Sequence, residues 1–364
     1  MQPHQAEPTG GPRRPDRRAA SGEGRKDPAS AHEVYQRGCP WVNGNRAGSS
    51  AISMTADTFD QFSSQPHPAV RSSSLPLSYA DAIERFAGLA ARESPQIAAH
   101  GKSQILTSGR RSANAALLLH GMSASPMQFV DLAQQLHRRG FNILVPRLPR
   151  HGYQDRLSDE IGALTADELR EATIEALAIA RGLGEKLTVV GFSLGGLLSS
   201  WAAQFEHMHR AVSVAPFFGP SWMPPNIGEM IAALSLKLPN RYHWWDPIKK
   251  EKQMPEHGYP RYSTHAVAQT YHLIRDLFSG AQQRAPAAQN IVMVTNWRET
   301  TVNNRTAGKL VQRWKEHKPD AIETYEFRDL PFSHDIIEPL RSPTIVAKVY
   351  PVLLELIDRG TERP

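Results

Sequence analysis

The chain has 364 residues, is 40% hydrophobic and carries a net charge of +6, which allows one large domain with an insertion. No run of about 18 apolar residues occurs, so no membrane-spanning helix is expected. The single cysteine, Cys39, excludes an intramolecular disulfide and a cysteine-rich metal site.

Residues 1–75 are rich in Gly, Pro, Ser, Arg and Gln and show no sustained apolar period. Such a composition cannot offset its ordering entropy, so this stretch is expected to be a disordered or non-native extension, with Met54 opening a more ordinary sequence. It contains no charged segment followed by an apolar run of the secretory type, and with one cysteine a cytoplasmic setting is expected. Residues 1–53 hold eight Lys and Arg against five Asp and Glu, half of the net charge. The rest of the charge is spread without a basic stripe interleaved with aromatics, which speaks against a nucleic-acid partner.

The first amphipathic helix is expected over 78–93. From about residue 104 strands and helices alternate: a buried strand at 113–121, a helix at 125–140 with a serine cap and glycine stop, and a strand from Phe141. A helix follows at 165–184, then the strand "LTVVGF" with its own helix, and a strand at 209–217. After an interruption come a strand at 290–296, a helix at 302–317, a strand at 322–330 and a last helix near 335–358. This alternation implies a mostly parallel sheet with helices on both faces. Reactive groups then belong at the carboxyl ends of the strands. The interval 218–288 breaks the rhythm with prolines at 220, 224, 225, 239, 247, 255 and 260 and with aromatics such as Trp222, Trp245, Tyr259 and Tyr271. A structureless loop of that length is unusual, so a helical cap is expected there, dividing a core of 76–217 and 289–364.

"LTVVGFSLGGLLSSW" (187–201) places Ser193 between a buried strand and a helix. Gly191 and Gly195 leave room for an abrupt turn, and that turn strains and exposes the serine as a nucleophile elbow does. In such hydrolases the acid and then the histidine follow along the chain. Beyond residue 290 the histidines are His317, near the charged end of a helix, and His334, in the loop "LPFSHDIIEP" after a strand. His334 is therefore the expected base. Glu299 lies three residues past the strand "NIVMVTN" and is the expected acid. Asp329 is the alternative, and Asp335 is read as favouring the N-terminus of the last helix. The backbone N–H groups of Met122 and Leu194 are the expected oxyanion donors, and His120 and His151 are expected to shape loops.

Taken in order, "LLLHGMSASP", "VPRLPRHG", "GFSLGG", "VTNWRETTVNN" and "FSHDIIEP" resemble the α/β-hydrolases, in the branch of serine aminopeptidase-like and monoacylglycerol lipase-like bacterial enzymes. The resemblance spans about 104–358 and implies the α/β-hydrolase fold and a serine hydrolase needing no metal or organic cofactor. The family usually places Asp at the acid position, so Glu299 is a departure. A small-molecule carboxylic ester is the expected substrate, since alcohols leave more readily than amines and the cap is apolar. Dehalogenase and epoxide-hydrolase chemistry is disfavoured, because those relatives carry aspartate where Ser193 stands. An acyltransferase with the same triad and a non-catalytic binding protein on this fold are the rival readings. Nothing in the sequence sets the oligomeric state.

Overall fold

Hydrophobic side chains at alternate positions along the strands sort the architecture of the computed structural model, which describes residues 77–359. The extension expected over 1–75, with Met54 and Cys39, lies outside the described residues. Seven strands form the main sheet: β1 (Gln104–Leu106), β2 (Ser112–Leu119), β3 (Phe141–Val145), β4 (Gly184–Phe192), β5 (Arg210–Val214), β8 (Asn290–Asn296) and β9 (Ile322–Phe327). Their spatial order is β1-β3-β2-β4-β5-β8-β9. Every neighbouring pair is parallel except β1 with β3. The sheet is thus the mostly parallel one expected, with one short antiparallel edge strand.

Parallel strands need crossovers that cover both faces, and the helices supply them. On one face Leu117, Leu119 and Val189 pack with residues of α3 (Ala166–Leu183), α4 (Leu194–Phe205), α6 (Thr264–Gln283) and α7 (Asn304–His317). On the other, Ala116, Leu118 and Val190 pack with residues of α2 (Val130–Arg138) and α8 (Pro343–Asp358). An additional helix, α1 (Tyr79–Ala91), packs on α3. Local signals set these helix ends. Ser78 with Asp81 and Thr165 with Glu168 form capping boxes at α1 and α3, satisfying N–H groups that a helix start leaves unpaired. Gly140, at φ 90°, ends the turn after α2 as expected.

Two expectations change. Ser125 does not cap a helix with its side chain: it precedes a short 3₁₀ turn, Pro126–Phe129, and its Oγ faces other groups. The last helix starts at Pro343 rather than near 335. Pro339 lacks the N–H that helix continuation needs, and the hydroxyl of Tyr350 holds the Ile337 carbonyl at 3.0 Å, so residues 335–342 stay an anchored loop.

The interval 218–288 contains α5 (Pro225–Ser235), the antiparallel pair β6 (Tyr242–Trp244) and β7 (Arg261–Ser263), and α6. It is more mixed than a purely helical segment. Tyr259 and Tyr271 are buried in it, whereas Trp222, Met230, Leu234, Leu238 and Ile248 are exposed. Its first residues are stitched to the neighbouring loops. The N–H of Phe217 donates to the Ser193 carbonyl and that of Ser221 to the Thr301 carbonyl, while Gly219 accepts from the N–H of Asn303. The Ser221 hydroxyl donates to the Thr300 carbonyl, and Met223 accepts the side-chain amide of Asn303.

Candidate active site

Strand β4 runs directly into helix α4 with Ser193 as the only residue between them. The turn is that sharp because two side chains are missing. A Cβ on Gly191 would lie 1.8 Å from the Gly195 carbonyl oxygen, and one on Gly195 would lie 1.8 Å from that of Leu119. No larger residue fits either position, so the expected reason for both glycines holds. Ser193 is left at φ 55° and ψ −111°, a strained conformation for a residue with a Cβ. Its backbone is pinned: the N–H donates to Val214, and the carbonyl accepts from Leu197 and Phe217. Serine at a helix N-cap ordinarily uses its hydroxyl to cap. Here the hydroxyl makes no capping bond and points to His334 instead.

His334 and Glu299 arrive from the loops after β9 and β8, which lie beyond β5 on the same side of β4. The distance from Ser193 Oγ to His334 Nε2 is 2.9 Å, and that from His334 Nδ1 to Glu299 Oε2 is 3.1 Å. One tautomer satisfies both contacts: Nδ1–H donates to the carboxylate, and the Nε2 lone pair accepts the serine proton. The Glu299 side chain is almost wholly buried. Its second oxygen, Oε1, accepts the N–H groups of Thr300 at 2.8 Å, Thr301 at 2.7 Å and Val302 at 3.3 Å.

These surroundings set the charge states. Burial pushes the Glu299 carboxyl up, but the imidazole beside it and the backbone N–H groups outweigh this and hold it below its ordinary value. Burial pulls His334 down, yet the Glu299 charge and hydrogen bond, helped by Asp335 and opposed by Arg341, leave it above its ordinary 6.5. The Phe192 ring packs beside the imidazole, with ring centroids 4.9 Å apart and planes tilted by 31°.

The other candidates separate cleanly. Asp329 is exposed and pairs with Lys348 at 3.3 Å, so it does not reach His334. Asp335 pairs with Arg341 at 2.6 Å instead of standing at the start of α8. His317 is exposed at the end of α7. His120 is buried, with Nδ1–H donating to Gly121 at 2.9 Å and Nε2 accepting from the N–H of Leu148 at 3.1 Å. Both nitrogens are occupied and burial holds its pKa well below 6.5, so it shapes the loop and has no lone pair to act as a base. His151, pulled down to about 4 by burial, donates to Pro149 at 2.7 Å and stacks on Tyr259.

Leu194 is the first residue of α4, where a helix N–H has no intrahelical acceptor. Met122 sits in the turn after β2, and its N–H finds no acceptor among the described residues. Neither N–H is consumed by the scaffold.

Sequence reasoning missed a second set of the same residue types. His257, in the interval 218–288, and Glu338, four residues past His334, are both buried, with Nε2 and Oε2 3.1 Å apart. His257 Nδ1 lies 3.4 Å from Ser125 Oγ. No sequence signal pointed to it, because 81 residues separate the pair.

Around this geometry the comparisons place the chain in a class. A sequence profile described as the Alpha/beta hydrolase family matches residues 116–332, more than half of the chain, and the protein belongs to that family. The match ends two residues before His334. Among solved structures, the chain resembles a metagenome-derived lipolytic enzyme of the LipS and LipT pair, at 16% identity and a TM-score of 0.55, over 73% of this chain and all of that one. It is also similar to the monoacylglycerol lipase of Paleococcus ferrophilus, at 17% identity and TM-score 0.54, over 70% of this chain and 97% of that one. A third likeness is to the monoglyceride lipase of Saccharomyces cerevisiae, at 15% identity and TM-score 0.54, over 71% and 92% respectively. No curated protein sequence matches the chain. At these identities the structural likeness speaks for the fold. Among the described residues no helix is long and apolar enough to cross a membrane.

Proposed function

We propose that the protein is a serine hydrolase that cleaves carboxylic esters of small molecules. The observation that carries this reading is the single-tautomer chain from Ser193 through His334 to Glu299, with the serine held in a strained turn at the carboxyl end of a central strand. In the first half-reaction Ser193 Oγ attacks the ester carbonyl while His334 Nε2 takes its proton. Glu299 holds the ring and stabilises the imidazolium that forms. The N–H groups of Met122 and Leu194 receive the developing oxyanion. His334 then protonates the departing alcohol, and water, activated by the same imidazole, releases the acid from the acyl-enzyme. Residues 218–288 form the cap over the strand ends. The mechanism draws on side chains and peptide N–H groups alone.

The lipolytic names of the structural relatives support an ester over other acyl substrates. A fluorophosphonate should label the full chain at Ser193, and esters of graded acyl length should be turned over with release of the free acid. Folded protein that neither labels nor hydrolyses any of them would leave the binding-protein reading. Formation of a new ester with added alcohols, in preference to free acid, would favour acyl transfer.

A further inference from the structure

Asn296, the last residue of β8, is fully buried and touches both arms of the acid–base pair. Its Nδ2 donates to the carbonyl of Ser333 at 2.8 Å and to that of Pro331 at 3.2 Å. Its Oδ1 accepts the N–H of Arg298 at 3.1 Å. Its own carbonyl accepts the N–H of Glu299 at 3.1 Å and the side-chain amide of Asn304 at 2.7 Å. The two carbonyl contacts of Nδ2 grip the loop that carries His334, one of them at the residue directly before it, and the others grip the turn that carries Glu299 and the start of α7.

We infer that Asn296 is a positioning residue for the reaction proposed above: it fixes the imidazole of His334 relative to Glu299 by tying the two loops together at their roots. The inference rests on the Ser193–His334–Glu299 reading. The side chain is suited to the task by its hydrogen-bond inventory. Two carbonyls on one side and one N–H on the other require two donors and one acceptor from a single short group, which a carboxamide supplies and a carboxylate does not. The task itself follows from loop length. Residues 328–342 join β9 to α8 without a helix or strand of their own, and a base on such a segment loses its alignment unless its backbone is anchored. Misplacement by about 1 Å can cost on the order of 100-fold in rate.

The test uses the full chain with three substitutions. Asn296→Asp keeps the size and removes both donors, Asn296→Ala removes the group, and Asn296→Ser keeps one hydroxyl donor. Thermal unfolding establishes which variants fold. Ester hydrolysis should show kcat lowered about 10- to 100-fold in Asn296→Asp and Asn296→Ala, with KM within about twofold and the serine variant between them and the wild type. The proton shared by His334 Nδ1 and Glu299, observed at low field by NMR, should shift or disappear in the same order. That signal reports the pair whether or not an ester turns over, so it tests the positioning role even if the proposed reaction fails. A folded Asn296→Ala or Asn296→Asp with unchanged kcat and an unchanged imidazole signal would overturn the inference, as would a loss confined to KM. Failure of all three variants to fold would also overturn it, since the amide would then serve the fold and not the base.

Discussion

Ser193, His334 and Glu299 share their residue types with Ser125, His257 and Glu338, and in both sets an imidazole stands 3.1 Å from a buried carboxylate. The differences lie in what surrounds them. Ser193 is strained at φ 55° and keeps slight exposure. Ser125 is relaxed at φ −146°, fully buried, and directs its hydroxyl to the His100 carbonyl at 3.3 Å. Glu299 has one oxygen on three backbone N–H groups and the other on the ring, whereas His257 Nε2 sits at ion-pair distance from Glu338 but off the line of a hydrogen bond. Residue identity is thus the smaller part of a nucleophilic site. Under the proposed function, strain, access and in-line hydrogen bonds separate the reactive set from one that joins the interval 218–288 to the loop after His334.

The largest effect that would break this contrast is at the serines. Ser193→Ala should lower ester turnover by about 10⁵-fold or more with little change in the unfolding midpoint, whereas Ser125→Ala should leave turnover within about twofold. Comparable losses from the two in an esterase assay would erase the distinction. At the acids, Glu299→Gln should lower kcat by about 10²–10⁴, because an amide favours the wrong imidazole tautomer. Asp329→Asn should be nearly silent, and the reverse ranking would reassign the acid.

The pH dependence sharpens the comparison next. His334 must be neutral to accept the serine proton, and its pKa lies above 6.5 in the folded chain. The kcat/KM profile should therefore rise with pH through an inflection above 6.5. In Glu299→Gln the residual activity should rise at a lower pH, since the charge that favours imidazolium is gone; an unmoved inflection would show that another group titrates. The same sign governs stability. The raised His334 contributes fully below pH 6.5 and its contribution fades as pH climbs through its folded value, while the lowered Glu299 contributes above its ordinary range and is lost in acid. At Glu338 the expected effect falls on stability and not on rate. Glu338→Gln should lower stability by about 1–3 kcal/mol, by weakening a buried polar pairing, while turnover per folded molecule stays within about threefold.

Much of the main domain was legible because its signals are local. β2, β4 and β8 each carry a short run of apolar residues, Ala115–Leu119, Val189–Val190 and Ile291–Val294, and α3 carries its own capping box. Ser193 was legible from flanking glycines whose absent side chains the turn requires, and His334 and Glu299 from their places after strands. Contacts distant in sequence were not legible. Asn296 acquires its meaning from carbonyls 35 and 37 residues away, and His257 from Glu338 across the strands between them. The late start of α8 was hidden for a related reason: "HDIIEPL" has helical spacing, but a proline and the Tyr350 hydroxyl bond hold it as a loop. Ser125 has the residue type of a cap, and only the neighbouring His257 and His100 reveal its other use.

The stitching of residues 217–223 has a mechanical consequence. These residues hang from the carbonyl of Ser193 at one end and from Thr300, Thr301 and Asn303 at the other. They are therefore tied to Ser193 and to the turn that carries Glu299, as part of the frame. Were the segment beyond them to swing, its fulcrum would fall at Pro224 or later, where the chain enters α5 with its exposed Met230 and Leu234. A hinge there would leave Ser193 and Glu299 where they stand.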